Sequence, residues 1–160
     1  MANIITINKT EGYTSESLKE SNLIITNEPF YPDIDLQHLR EAMRIDGTVT
    51  TPRLTHAVYE AIVYVNDQLK TFKQQHQDKT LATVEASIIN NESVLTFRYK
   101  RAVYCYAVAN LFERYVSFDL TNDGEKKAEQ YTDSIDDLKR DAQSAIRDIL
   151  GELRITAVLI

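Results

Sequence analysis

Three histidines, His38, His56 and His76, are the residues best suited to metal or acid–base chemistry, and their spacing argues against both. None belongs to a Glu-x-x-His or His-x-x-x-His pattern, the spacings that place two ligands on one helix face. Asp35 and His38 stand three apart, but Asp35 is better placed as a helix cap, its carboxylate accepting from the amides of the next turn. Asp33 and Asp35 resemble the opening of a calcium loop, yet the glycine and the closing glutamate are missing at their offsets. The single cysteine, Cys105, sits in the apolar run from Ala102 to Ala109, where a thiol packs as a small hydrophobe. No glycine-rich phosphate cradle, nucleophile elbow or Cys-x-x-Cys pair occurs. The expectation is a non-enzyme with no catalytic residues, no metal and no cofactor.

Two charged stretches could carry binding instead. Arg98, Lys100 and Arg101 interleave with Tyr99, Tyr104 and Tyr106, a combination able to stack and neutralise single-stranded nucleic acid. Helical spacing turns several of these rings inward, however, and arginines at the mouth of a buried helix pair readily with acids across a subunit contact. We therefore expect Arg98 and Arg101 at a subunit interface. Further on, Lys126, Lys127, Lys139, Arg140 and Arg147 alternate with a surplus of Asp and Glu, a solvated face laced with side-chain pairs. With 18 basic against 24 acidic residues the net charge is −6, so the field of the whole chain repels nucleic acid.

The elements that must position these residues are mostly helices. At 160 residues and 43% hydrophobic, the chain suits one domain that buries roughly two thirds of its unfolded surface. Four glycines and three prolines are few for a turn-rich β fold. The longest apolar run is bracketed by Arg101 and Glu113, far short of the roughly 20 residues a membrane span needs. Met1-Ala2-Asn3-Ile4-Ile5 lacks the cationic start of a signal peptide, which predicts synthesis in a cytoplasm.

Residues 1–32 show no helical period and read as an extended N-terminal arm ordered by a partner. Helix one starts at the Asp35 cap, carries Leu36, Leu39 and Met43 on one face, and ends at Asp46-Gly47. Thr51 caps the next, with Pro52 in the first turn and Leu54, Val58, Ile62, Val65, Leu69 and Phe72 at spacings of three and four. Leu81 to Ile89 reads as a short helix before Asn90-Asn91. Ser93 opens a helix to about Tyr115, its middle apolar all round and so the most buried. The last helix runs from about Asn122 to Gly151, with Ala128, Tyr131, Ile135, Leu138, Ala142, Ala145 and Ile149 as an unbroken heptad seam. Tyr131 and Leu138 on that seam are further candidates for contact between subunits.

Beyond Gly151, the run Arg154-Ile155-Thr156-Ala157-Val158-Leu159-Ile160 reads as a β-strand apolar on both faces, which seldom stays in water. The predicted fold is mainly α, a small bundle of long helices (33–153) with an extended N-terminal arm (1–32) and a short C-terminal β-strand (154–160).

Five strings, in this order, then resemble the head completion proteins of contractile-tailed phages. They are Phe30-Tyr31-Pro32-Asp33-Ile34-Asp35, Arg44-Ile45-Asp46-Gly47-Thr48-Val49-Thr50, Tyr99-Lys100-Arg101-Ala102-Val103-Tyr104, Phe118-Asp119-Leu120-Thr121 and Ala145-Ile146-Arg147-Asp148-Ile149. Ser144 stands where such proteins often carry a tryptophan, and this chain has none.

The resemblance implies a structural virion protein of the neck, made in the host cytoplasm. It joins DNA-filled heads, protects the genome end and prepares the head for the tail. It further implies a homo-oligomeric ring, of about twelve copies, under the portal protein and beside the neck and tail-completion proteins. Double-stranded DNA would pass through the lumen without sequence-specific binding. In such adaptors the C-terminal segment docks on the portal, which makes Arg154, Ile155, Val158, Leu159 and Ile160 the candidates for that contact. Two other readings stand beside it. A cytosolic helical interaction or DNA-binding regulator rests on the stretch from Arg98 to Tyr106 and on a helix pair around Asp46-Gly47. A carboxylate-bridged metal enzyme would need inward acids with histidines, whereas the last helix's seam is apolar apart from Tyr131.

Overall fold

The computed structural model describes residues 23–118 and 124–151, with side chains placed for 23–114 and 134–151. Asp35 caps as its position requires: its Oδ1 accepts from the amides of Gln37 at 2.8 Å and His38 at 3.1 Å. Helix α1 (Leu36–Met43) follows, burying Leu36 and Leu39. It stops at Arg44, in the left-handed conformation at φ 55°, two residues ahead of Asp46-Gly47.

Helix α2 (Thr51–Gln68) carries Pro52 in its first turn, but the capping position is Thr50 and not Thr51. The Thr50 side chain makes no capping hydrogen bond, and the proline's fixed φ sets the first turn. Leu54, Val58, Val65 and Leu69 are fully buried, as their spacing predicts. After a break at Leu69 the chain resumes as α3 (Lys70–Gln75).

The short helix expected over Leu81 to Ile89 is not there. Leu81 is buried, and its amide donates to the Phe30 carbonyl at 2.8 Å. The chain then forms a hairpin of β3 (Ile88–Ile89) and β4 (Glu92–Ser93), Ile88 opposite Ser93 and Ile89 opposite Glu92. Asn90 and Asn91 both have positive φ, 50° and 61°. Two left-handed residues make the two-residue turn whose twist matches the strands, and asparagine adopts that conformation at low cost.

Ser93 opens α4 (Val94–Phe118), its Oγ accepting from the Leu95 amide at 3.3 Å. This is the central helix: α1, α2 and α5 (Gly124–Leu150) all pack on it. Ala102, Val103, Tyr104, Cys105, Ala107, Val108 and Ala109 are all buried, so the stretch apolar all round is indeed the inside of the fold. Helix α5 returns antiparallel to α4, since Arg98 meets Asp148 near one end and Glu113 meets Lys139 further along. Ile135, Ala142, Ala145 and Ile149 of the heptad seam are buried, Leu138 is half-buried, and Gly151 ends the helix at φ 71°. Ala128 and Tyr131 lie within α5, but their side chains fall outside the described ones.

The expected N-terminal arm, residues 1–32, is described only in its last part. Residues 1–22 lie outside the described residues, whereas 23–32 are part of the body. Strand β1 (Ile24–Ile25) pairs antiparallel with β2 (Ile34–Asp35), and Ile25, Phe30 and Tyr31 are buried. A segment without helical period joins the core here because its polar groups find partners on helices distant in sequence, which no local pattern encodes.

Candidate functional site

Asn27 of the loop between β1 and β2, Asn66 of α2 and Tyr99 of α4 form one polar cluster, with Asn66 and Tyr99 buried and Asn27 half-buried. The Tyr99 hydroxyl donates to Asn66 Oδ1 at 2.5 Å and accepts from Asn27 Nδ2 at 2.7 Å, while Asn66 Nδ2 donates to Asn27 Oδ1 at 3.1 Å. Tyr31 stacks on Tyr99 at 5.0 Å between centroids. Glu28 takes the Lys73 ammonium, whose hydrogen bond holds the carboxyl below its usual range. Burial drives the Tyr31 and Tyr99 hydroxyls far above their ordinary value, pushes Tyr104 up to about 12 and raises the Cys105 thiol. These groups stay neutral at physiological pH. The cluster clamps residues 23–32 onto α2 and α4, a structural task.

The basic-aromatic stretch resolves in the same direction. Tyr99 and Tyr104 are buried, with Tyr104 Oη 2.8 Å from His38 Nδ1, and Tyr106 stacks on Tyr64 at 4.1 Å. Lys100 pairs with Glu92 at 2.6 Å. None of the three rings is left exposed for a base to stack on. Asp35 and His38 are each engaged, one as a cap and the other with Tyr104, and no group of three or more potential metal ligands occurs among the described residues.

Arg98 and Arg101, expected at a subunit interface, meet acids of their own chain. Arg98 Nη1 donates to the Asp148 carbonyl at 3.1 Å and its Nε lies 3.7 Å from the Asp148 carboxylate. Arg101 Nη2 donates to Asp141 Oδ2 at 2.9 Å. The four residues border a shallow groove of about 370 Å³ between α4 and α5, with Phe97, Ser144 and Ala145. Arg98 thus satisfies a carbonyl in the last turn of α5, while the Arg101 pair stands half in solvent. Arg98→Ala should therefore lower stability by about 1 kcal/mol, and Arg101→Ala by no more than roughly 0.5 kcal/mol, in urea titrations. Equal losses would contradict the capping role.

Of the other candidates, Leu138 is half-buried on α5, the Tyr131 side chain is outside the described ones, and Arg154, Ile155, Val158, Leu159 and Ile160 lie outside the described residues. Sequence reasoning missed the large apolar side chains exposed among the described residues, which are Leu23 just before β1, Ile24 on β1, Tyr59 and Val63 on α2, Ile88 and Ile89 on the hairpin, and Phe97 on α4. The Asn90-Asn91 pair after Ile88-Ile89 was the available signal for the hairpin. No described helix is long and apolar enough to cross a membrane.

The sequence matches the family described as phage head completion protein (GPL) over residues 25–160. It is 38% identical over 134 residues to the head completion/stabilization protein of Escherichia phage P2, covering 82% of this chain and 79% of that one. No solved structure matches.

Proposed function

We propose, from the premise that this chain belongs to the phage head completion protein family, that it is a structural virion component that closes the DNA-filled head and readies it for the tail. The observation that carries this is the extent of the match, which takes in nearly every element of the body from β1 through α5. Its site is a set of assembly surfaces and its work is binding, without catalysis, metal or cofactor. The subunits form a homo-oligomeric ring, of about twelve copies, below the portal protein and next to the neck and tail-completion proteins. Arg154, Ile155, Val158, Leu159 and Ile160 make the portal contact, and Arg98, Arg101, Tyr131 and Leu138 line or brace the contact between copies. An acidic chain lets double-stranded DNA pass through the lumen without holding it.

The experiment is to image the neck of intact virions by cryo-electron microscopy and to quantify this chain per particle against the portal by mass spectrometry. A ring beneath the portal at about one copy per portal subunit is the expected result. Its absence from tailed particles that carry a full complement of portal would refute the assignment.

A further inference from the structure

Three stretches of chain meet around a groove of about 500 Å³ at the α3 end of the body. Lys73 of α3 is tied to Glu28, and the Leu81 amide to the Phe30 carbonyl, so 28–30, α3 and 79–81 are held against one another. Pro29 and Phe30 give the groove an apolar side, and Lys70, Lys73 and Lys79 line the rest of it with glutamines. Glu28 neutralises Lys73, but Lys70 and Lys79 are exposed and form no ion pair among the described residues. Two unpaired cations beside an apolar surface, in a chain of net charge −6, select an occupant that carries both carboxylates and an apolar side chain. The phosphates of a nucleic acid would engage the lysines and leave the apolar side uncovered.

One such occupant is tethered nearby. Thr10 to Leu18 carries Glu11 and Glu16 with Tyr13 and Leu18, and contains no cation. It belongs to residues 1–22, outside the described ones, and its chain enters the body at Leu23. Leu23 and Phe30 are seven residues apart, which limits their separation to roughly 25 Å, whereas the ten residues from Tyr13 to Leu23 can extend over roughly 33 Å. The tether therefore reaches the groove of its own subunit without any movement of the body. A flexible link this short sets an effective concentration of roughly millimolar, so a weak contact suffices.

We infer that residues 10–18 dock in this groove of their own subunit, with Tyr13 against Pro29 and Phe30 and with Glu11 and Glu16 towards Lys70 and Lys79. The occupant and the groove are complementary in charge, and they are joined by the same chain. Because the lysines are exposed, the contact loosens as salt rises, and the arm leaves the body when a tighter partner competes. For the same reason it adds little to stability, and a chain that starts at Leu23 melts close to the parent. Neither the ring nor the portal contact is needed for it.

The test is disulfide closure within the full chain, with Cys105→Ala as background. Thr14→Cys is combined with Gln74→Cys or Gln77→Cys in the groove or, as a control, with Arg53→Cys, exposed at the other end of α2. Mild oxidation at low protein concentration is followed by non-reducing electrophoresis and by mass spectrometry of the linked peptides. At low salt, closure to 74 or 77 should be at least tenfold faster than closure to 53, and the product should be a monomer. Lys70→Glu with Lys79→Glu should slow closure to the groove at least tenfold while leaving circular dichroism and melting temperature near the parent's, because neither side chain is in the core. Adding Glu11→Lys and Glu16→Lys to that variant should restore the rate. Equal rates to 74, 77 and 53, or rates indifferent to the charge reversals, would overturn the docking. Disulfide-linked dimers in place of closed monomers would give the groove to the arm of another copy and overturn it within the subunit. Equal rates together with protection of Lys70 and Lys79 from acetylation by a short DNA duplex would give the groove to phosphate and overturn it as well.

Discussion

Removing residues 154–160 should leave the helical body folded and abolish attachment to the head. Ile155, Ala157, Val158, Leu159 and Ile160 follow Gly151, whose left-handed backbone ends α5. A sequence this apolar gains most by adding to a partner's sheet edge or groove, where main-chain hydrogen bonds supply affinity and alternate side chains supply selectivity. At about 25 cal/mol per Å² of apolar surface, several such side chains offset the cost of ordering the segment, and the effect multiplies around a ring. Complementing a phage that lacks this protein with the truncated chain should yield DNA-filled heads that leak or fail to join tails, with infective titre down by several orders of magnitude. Circular dichroism of the same chain should show its helices intact. Normal titre would remove the docking role from these residues.

The second large effect concerns where the body begins. A chain starting at Leu23 should melt close to the full-length protein, and one starting at Asp33 should fail to fold at 37 °C. The longer truncation removes Ile25, Phe30 and Tyr31, each worth roughly 1.5–3 kcal/mol of burial. It also strips Asn27 from Tyr99 and Asn66, Glu28 from Lys73, and the Phe30 carbonyl from the Leu81 amide. The buried groups left without partners, on Tyr99, Asn66 and Leu81, cost a further 1–3 kcal/mol each, roughly, so the total approaches the 5–15 kcal/mol that holds a typical domain together. A cooperative melt from the chain beginning at Asp33, within a few degrees of the parent, would show that residues 23–32 only decorate the core.

Much of this molecule is determined by local rules acting on its residues. Asp35 caps α1 because a carboxylate three residues ahead of His38 reaches the free amides of the first turn whatever packs around it. The three-and-four spacing from Leu54 to Leu69 and the apolar middle of α4 place those residues in the core, because only a helix puts them on buried faces. The heptad seam of α5 likewise finds its partner in α4, and the order of five short strings identifies the family. What the tertiary structure decided are the pairings between distant parts of the chain. Residues 23–32 enter the core because Asn66 and Tyr99, far along the chain, satisfy Asn27. Arg98 and Arg101 reach Asp148 and Asp141 because α5 folds back antiparallel on α4. Ile88 and Ile89 stand in solvent because a turn with two left-handed asparagines sends them off the body. Periodicity reports which face of an element is buried, but a hydrogen bond or ion pair across tens of residues depends on chain reversal and register, which only packing sets.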